Sequence, residues 1–221
     1  KNGDVLLRLD DASDDGGETD RSVLSVKGIV EFAECVRIDD VRELLERQIA
    51  YNTAISQEGL RGEYGASVGK TLLSTRGSDV RVRARAVAAA GSDARMSGCE
   101  LPVVIVSGSG NQGMTASLPV IVYAQDMGAD RDRLLRALVV SNLVTVHQKT
   151  PIGRLSAFCG AVSAGCGAAA GVAWLCEGSV DAVSATITNT LGMISGTVCD
   201  GAKPSCATKI ASAVEAGLLG F

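Results

Sequence analysis

Cysteine is the residue type in this chain with the clearest capacity for chemistry. The 221 residues include seven cysteines, and five of them lie within residues 153–206. Seven is an odd number, so the cysteines cannot all pair within one chain. The chain is also long enough to build an ordinary core without a disulfide framework. We therefore expect free or metal-bound thiols in a reducing, cytoplasmic setting.

A short loop between two cysteines is the best candidate for a metal site. Cys199 and Cys206 enclose six residues, DGAKPS, in which glycine and proline favour turns. Such turns direct backbone N–H groups at sulfur, so this loop together with Cys159 could wrap a metal cluster. The spacing does not match a zinc ribbon. The alternative is buried free cysteines, which are common, and we expect that packing role for Cys35, Cys99, Cys166 and Cys176.

A glycine-rich segment, SGSGNQG, forms the second candidate site and follows the β-branched run LPVVIV. It matches the G-x-G-x-x-G pattern of dinucleotide-binding folds, but the second strand with its terminal acidic residue is missing. Two other interpretations remain open. The glycines could serve a tight turn with positive φ, or the backbone N–H groups could form an anion-binding nest suited to a substrate carboxylate. The segment comprises Ser107, Gly108, Ser109, Gly110, Asn111, Gln112 and Gly113.

Two further polar residues were considered for the site. His147 is the only histidine, which excludes a zinc site built on several histidines. It ends a predicted helix, where it interacts favourably with the helix dipole, so we expect a structural role. Lys203 lies inside the cysteine loop and is the lysine best placed to bind an acidic group.

Composition and periodicity predict a mainly α-helical fold. Only 3% of the residues are aromatic and 26 are glycine, so small aliphatic residues must fill the core. Apolar residues recur with helical spacing in several segments. The first residues have a strand-like pattern, which we interpret as a short β/loop remnant of an upstream α/β domain. Predicted helices cover residues 23–35, 41–57, 79–90, 131–147, 180–194 and 209–219.

The net charge and the composition also argue against nucleic acid and membrane as partners. The net charge of −4 and the pI near 5.1 argue against a nucleic-acid surface, which is normally basic. Residues 155–176 carry no charge, but they are mostly Ala, Gly, Ser and Cys. We therefore expect a buried helix there and no membrane span. The sequence permits a homodimer without requiring one.

Four blocks taken together resemble one known family. They are SDARMSG (Ser92–Gly98), GSGNQG with the trailing TASLPV, GRLSAFCGAVSAGCGAAAG, and SGTVCDGAKPSCATKIASA. In this order they resemble the iron–sulfur L-serine dehydratase α-chain family. They are most similar to its branch of L-cysteine desulfidases and related uncharacterised bacterial proteins, and the similarity runs from about residue 40 to the end.

The resemblance implies a fold, a cofactor and a reaction. Residues 38–221 would be an all-helical catalytic domain, and residues 1–37 the end of an upstream domain with an acidic linker. A [4Fe–4S] cluster on Cys159, Cys199 and Cys206, without pyridoxal phosphate, would support β-elimination from L-cysteine or L-serine. The products would be pyruvate and ammonia, with sulfide from cysteine.

The resemblance also assigns the substrate pocket. Residues 107–113 would hold the substrate carboxylate, and Ser92, Asp93 and Arg95 would line the same pocket. A general base must remove the α-proton. We place it in no residue of this chain and expect it in the N-terminal part of the full-length protein. The alternatives are an amino-acid or redox sensor on the same helical fold, or a nucleotide-binding protein that uses Gly108–Gly113.

Overall fold

The computed structural model describes residues 19–153 and 156–221, and helices dominate this part of the chain. It contains no sheet, only two isolated β-bridges, so the predicted mainly α fold is confirmed. The predicted N-terminal β remnant lies largely outside the described residues, and the boundary at residue 37 stays a prediction. The helices are α1 (Val26–Cys35), α2 (Ile38–Arg61), α3 (Val68–Arg76), α4 (Val80–Met96), α5 (Gly110–Asp126), α6 (Arg131–Lys149), α7 (Gly160–Cys176), α8 (Val180–Ile194) and α9 (Cys206–Gly220).

Helix α7 forms the centre of the core and contacts α5, α6, α8 and α9. Residues 161–175 are all buried, which agrees with a helix that is apolar on every side. Small residues allow its neighbours to approach closely. A Cβ on Gly167 would lie 2.1 Å from the Thr145 hydroxyl of α6, and one on Gly165 would lie 2.8 Å from the Ala213 backbone of α9. None of the described helices is long and apolar enough to cross a membrane.

Helix α1 packs on this bundle as well. Ile29, Val30 and Ala33 belong to the same buried core cluster as the central helices. The Arg136 guanidinium of α6 donates hydrogen bonds to the carbonyl oxygens of Ala33, at 2.5 Å, and Glu34, at 2.8 Å. These bonds satisfy carbonyls in the last turn of α1.

Two local interpretations differ from the structure. The β-branched run forms no strand over residues 101–105, and α4 continues beyond residue 90 to Met96, so residues 92–96 are helical. Helix α5 begins at Gly110 and runs through Pro119. Proline removes one backbone hydrogen bond there, but α5 is buried against α4, α6 and α7, and we attribute the continuous helix to that burial.

A matched pair of glycines tests the close packing of α7. Gly167→Ala should lower the free energy of unfolding by about 1–3 kcal/mol, because the added methyl group overlaps Thr145 of α6. Gly192→Ala makes the same change on exposed α8, where a Cβ would meet nothing within 4 Å. It should stabilise the protein by about 0.5–1 kcal/mol through helix propensity. Urea denaturation measures both, and equal effects would contradict the proposed packing.

Candidate functional site

One cavity of about 340 Å³ collects most of the residues singled out above. It lies where α5, α7 and α9 begin and where α4 and α6 end. Three of the seven cysteines line it, Cys159, Cys199 and Cys206. The remaining wall is formed by Arg95, Gly108, Ser109, Asn111, Gln112, Lys149, Ser156, Phe158, Gly160, Ala161, Gly201, Ala202 and Lys209.

A short antiparallel pairing fixes two of the three thiols relative to each other. Phe158 pairs with Val198. The Cys159 N–H donates to the Thr197 carbonyl at 3.1 Å, and the Cys199 N–H donates to the Ala157 carbonyl at 2.6 Å. Cys159 and Cys199 are therefore diagonal neighbours on one face of the pair, a relation that separates residues by roughly 7–8 Å.

The arrangement of the thiols suits a metal cluster. A four-iron cluster spreads its thiolate ligands more widely than a single metal ion does. Three thiols line one cavity, and two of them are diagonal neighbours. The donor set thus fits the cofactor that the family resemblance implied.

The cysteines differ in burial. Cys159 is the N-cap residue of α7 and is buried, and burial raises the pKa of its thiol, while the Ala161 N–H and the Lys209 ammonium partly lower it. Cys199 is exposed and Cys206 is half-buried. Cys166 lies outside the cavity wall, contacts the Ile187 carbonyl at 3.9 Å, and is so buried that its pKa is raised to about 12.

Two lysines fasten the cysteine loop through one carboxylate. Lys209, in the first turn of α9, pairs with Asp200 and donates a hydrogen bond to the Val198 carbonyl at 3.2 Å. Lys203 Nζ lies 2.9 Å from the same carboxylate. Hydrogen bonds from both lysines lower the pKa of Asp200 to about 2. Lys203 does not line the cavity, so the structure places it as a tether of the loop.

The start of α5 carries the glycine-rich segment. Ser107 and Gly108 have positive φ, 51° and 96°, in a tight turn closed by two hydrogen bonds between Val106 and Ser109. Gly110–Gly113 then form the first turn of the helix. Gly108, Ser109, Asn111 and Gln112 line the cavity, whereas Ser107, Gly110 and Gly113 do not.

Two amide side chains are held in this wall. Arg95 Nη1 donates to Asn111 Oδ1 at 3.2 Å, which leaves the Asn111 amide nitrogen available to a ligand. Gln112 packs directly on α7, since a Cβ on Gly160 would lie 2.4 Å from its amide nitrogen. Its Oε1 is buried and accepts no hydrogen bond from the described residues.

Three helix N-termini give the cavity a positive field. Neither α5, α7 nor α9 has a side chain that caps its first N–H groups. Side chains cap α1, α4, α6 and α8, namely Ser25, Asp79, Asp130 and Ser179, whereas α2, which does not line the cavity, also begins without a side-chain cap. Uncapped N–H groups and the helix dipole favour an anion. Arg95, Lys149 and Lys209 add positive charge, and none of the described residues of the wall is acidic.

Two residues expected in the pocket lie behind it. Asp93 is buried and accepts a hydrogen bond from the Gly69 N–H at 3.1 Å, so it caps α3 from the neighbouring helix. Burial raises the pKa of this carboxyl group, against the lowering effect of the α3 N–H groups. The Ser92 hydroxyl is buried without a described partner. Of Ser92, Asp93 and Arg95, only Arg95 lines the cavity.

Sequence reasoning missed both lysines of the wall, Lys149 and Lys209. Lys209 could have been predicted from the sequence, because it lies one helical turn after Cys206 and therefore faces the same side of α9. Lys149 could not have been predicted, since its position at the cavity depends on how α6 packs.

The burial of the thiols predicts an order of alkylation in metal-free protein. Iodoacetamide should modify the two exposed cysteines, Cys199 and Cys35, first at pH 8, because only accessible thiolates react quickly. Cys159 should react more slowly, and its rate should keep rising above pH 9, since its pKa is raised. Cys166 should stay unmodified and serves as the internal control. Peptide mass spectrometry after timed quenching measures the order, and faster labelling of Cys159 than of Cys199 would contradict this geometry.

Comparison with known proteins places the chain in a family. The family model described as serine dehydratase alpha chain matches residues 12–221. A UPF0597 protein of Desulfitobacterium hafniense is 61% identical over 100% of this chain and 52% of its own length. A UPF0597 protein of Lachnoclostridium phytofermentans is 56% identical over 99% of the chain and 52% of its own length.

More distant relatives give the same result. A UPF0597 protein of Bacteroides fragilis is 37% identical over 99% of this chain and 52% of its own length. The chain thus spans about half the length of these curated relatives. No solved structure matches the chain significantly. The family model covers nearly the whole chain and includes every residue of the cavity, and the chain therefore belongs to the serine dehydratase α-chain family.

Proposed function

We propose that this chain is the cluster-binding catalytic part of a lyase that performs β-elimination on a small L-amino acid, L-cysteine or L-serine. The products are pyruvate and ammonia, with sulfide when the substrate is cysteine. One observation carries the proposal: Cys159, Cys199 and Cys206, and none of the other cysteines, line one cavity with the N-terminus of α5.

The three thiols are the ligands in this proposal. When bound, a [4Fe–4S] cluster on three thiolates supplies an iron without a protein ligand, a Lewis acid toward the β-hydroxyl or β-thiol group. The protein sets where the ligands stand. Cys159 is held by the start of α7, and Cys199 is held by its pairing to residue 157 and by the Lys209–Asp200 tether on its loop.

The start of α5 orients the substrate. Its uncapped N–H groups and the Asn111 amide donate toward a carboxylate, and Arg95 holds that amide in place. An amino acid also carries an ammonium group, for which the buried Gln112 Oε1 is an acceptor without another partner. Positioning of this kind lowers the barrier before any bond breaks.

Part of the reaction needs residues outside this chain. We propose that the general base for the α-proton lies in the other half of the full-length polypeptide. Among the described residues, the cavity wall has no acidic residue and no histidine. Free thiols at the cluster site also lead us to propose a cytoplasmic location, where thiols stay reduced.

The nucleotide-binding alternative receives less support. A dinucleotide fold positions its glycine-rich turn after a strand of a parallel sheet. In the part of the chain that the structure describes, residues 101–105 form no strand and no sheet is present. A sensor without turnover remains the competing outcome of the experiment below.

The complete polypeptide, prepared without oxygen, should release pyruvate from L-cysteine or L-serine and contain about four iron atoms per chain. Cys199→Ala should remove both the iron and the activity, because a cubane cluster needs all three thiolates. Cys35→Ala changes an exposed cysteine on α1, away from the cavity, and should change neither. Iron analysis and a coupled pyruvate assay measure the outcome.

Two results would count against the proposal. Protein that stays colourless after anaerobic reconstitution would contradict the cofactor assignment. Cluster-loaded protein that binds these amino acids without forming pyruvate would favour the sensor.

A further inference from the structure

Lys149 is a largely buried lysine in the wall of the cavity. It ends α6, is only 7% exposed, and lines the cavity that contains the three cysteines. Lysine is almost never buried without a partner, because removing an ammonium group from water is costly. The residue therefore requires an explanation that ordinary packing does not supply.

No described residue neutralises this ammonium group. The other four lysines in residues 19–153 and 156–221 all lie within 4 Å of a carboxylate. Lys149 has neither an ion pair nor a side-chain hydrogen bond among the same residues. The cavity wall offers it no carboxylate, since its other charged members are Arg95 and Lys209.

The thiols do not account for this charge. The ammonium group that acts electrostatically on Cys159 and Cys199 is that of Lys209. Lys209 is also bound to Asp200. Lys149 thus stays available for an anion that enters the cavity.

We infer that Lys149 binds the carboxylate of the amino-acid ligand, as the cationic partner of the N–H groups at the start of α5. The inference rests on the proposed function for the identity of the ligand. The N-terminus of α5 and Lys149 would make different contributions to carboxylate binding. The α5 N-terminus supplies directed N–H donors, and Lys149 supplies a full charge, with which a carboxylate forms a strong charge-assisted hydrogen bond.

A pair of probes that differ only in charge tests this inference. L-alanine and L-alaninamide have no β-leaving group, so the protein can bind them without elimination. In the complete polypeptide, Lys149→Met should weaken L-alanine binding about 10- to 100-fold, the usual effect of losing a hydrogen bond to a charged group. Binding of L-alaninamide, which has no carboxylate, should not change. Calorimetry measures both.

Two further variants control for charge and folding. Lys149→Arg keeps the charge and should restore L-alanine binding to within about tenfold of the unsubstituted protein. Lys27→Met makes the same chemical change on α1, where Lys27 is exposed and paired with Glu31, and should affect neither probe. Lys149→Met should melt at or above the normal temperature, because it removes an unpaired buried charge.

Three outcomes would overturn the inference. Equal weakening of both probes would indicate a structural role, and unchanged binding of both would indicate no role. Loss of iron with unchanged L-alanine binding would assign the charge to the cysteines. If Lys149-dependent L-alanine binding appears but no amino acid yields pyruvate, the proposed function fails while the inference stands.

Discussion

The close approach of α7 to its neighbours is the constraint on which the cavity depends. Gly165 and Gly167 bring the backbones of α9 and α6 against α7 so tightly that a single methyl group would not fit. The N-terminus of α7 carries Cys159, and Gly160 beside it contacts the Gln112 amide of α5. The packing that fills the core therefore also sets the distance between a thiol and the amide donors.

Positive charge at the cavity follows from the same arrangement. Three helices begin there without side-chain caps, which leaves their first N–H groups to be satisfied by something else. Elsewhere in the described chain, four helix starts are capped by serine or aspartate, and α2 begins without a side-chain cap. An uncapped start costs about 1 kcal/mol relative to a capped one. Three such starts around one cavity are explained if a bound anion supplies the missing acceptors.

The sequence predicted those features that local patterns control. The helix over residues 180–194 was predicted with the observed bounds, because its apolar period and its flanking residues are all local. Loop chemistry indicated Cys199 and Cys206, and the family resemblance favoured Cys159, with Cys166 as the alternative. Their assignment as ligands remains a prediction, but the structure does bring them to one cavity.

Features that depend on packing could not be predicted in this way. Ser92 and Asp93 were expected in the pocket because of the family resemblance, and they lie beyond residue 90, where the helix was predicted to end. Helix α4 instead continues, and its rotation turns Asp93 toward α3. Lys149 was missed for the converse reason. Its sequence neighbours are polar, and only the packing of the end of α6 against the cavity makes it buried.

The three thiols are held in different ways. Cys159 is buried, and its position is fixed by the helix that forms the core. Cys199 is exposed, but backbone pairing with residue 157 holds it against Cys159. Cys206 is the first residue of α9, so a second core helix positions it. The Lys209–Asp200 ion pair on the loop between Cys199 and Cys206 contributes little to stability, so the backbone pairing and the two helices set the relative positions of the thiols.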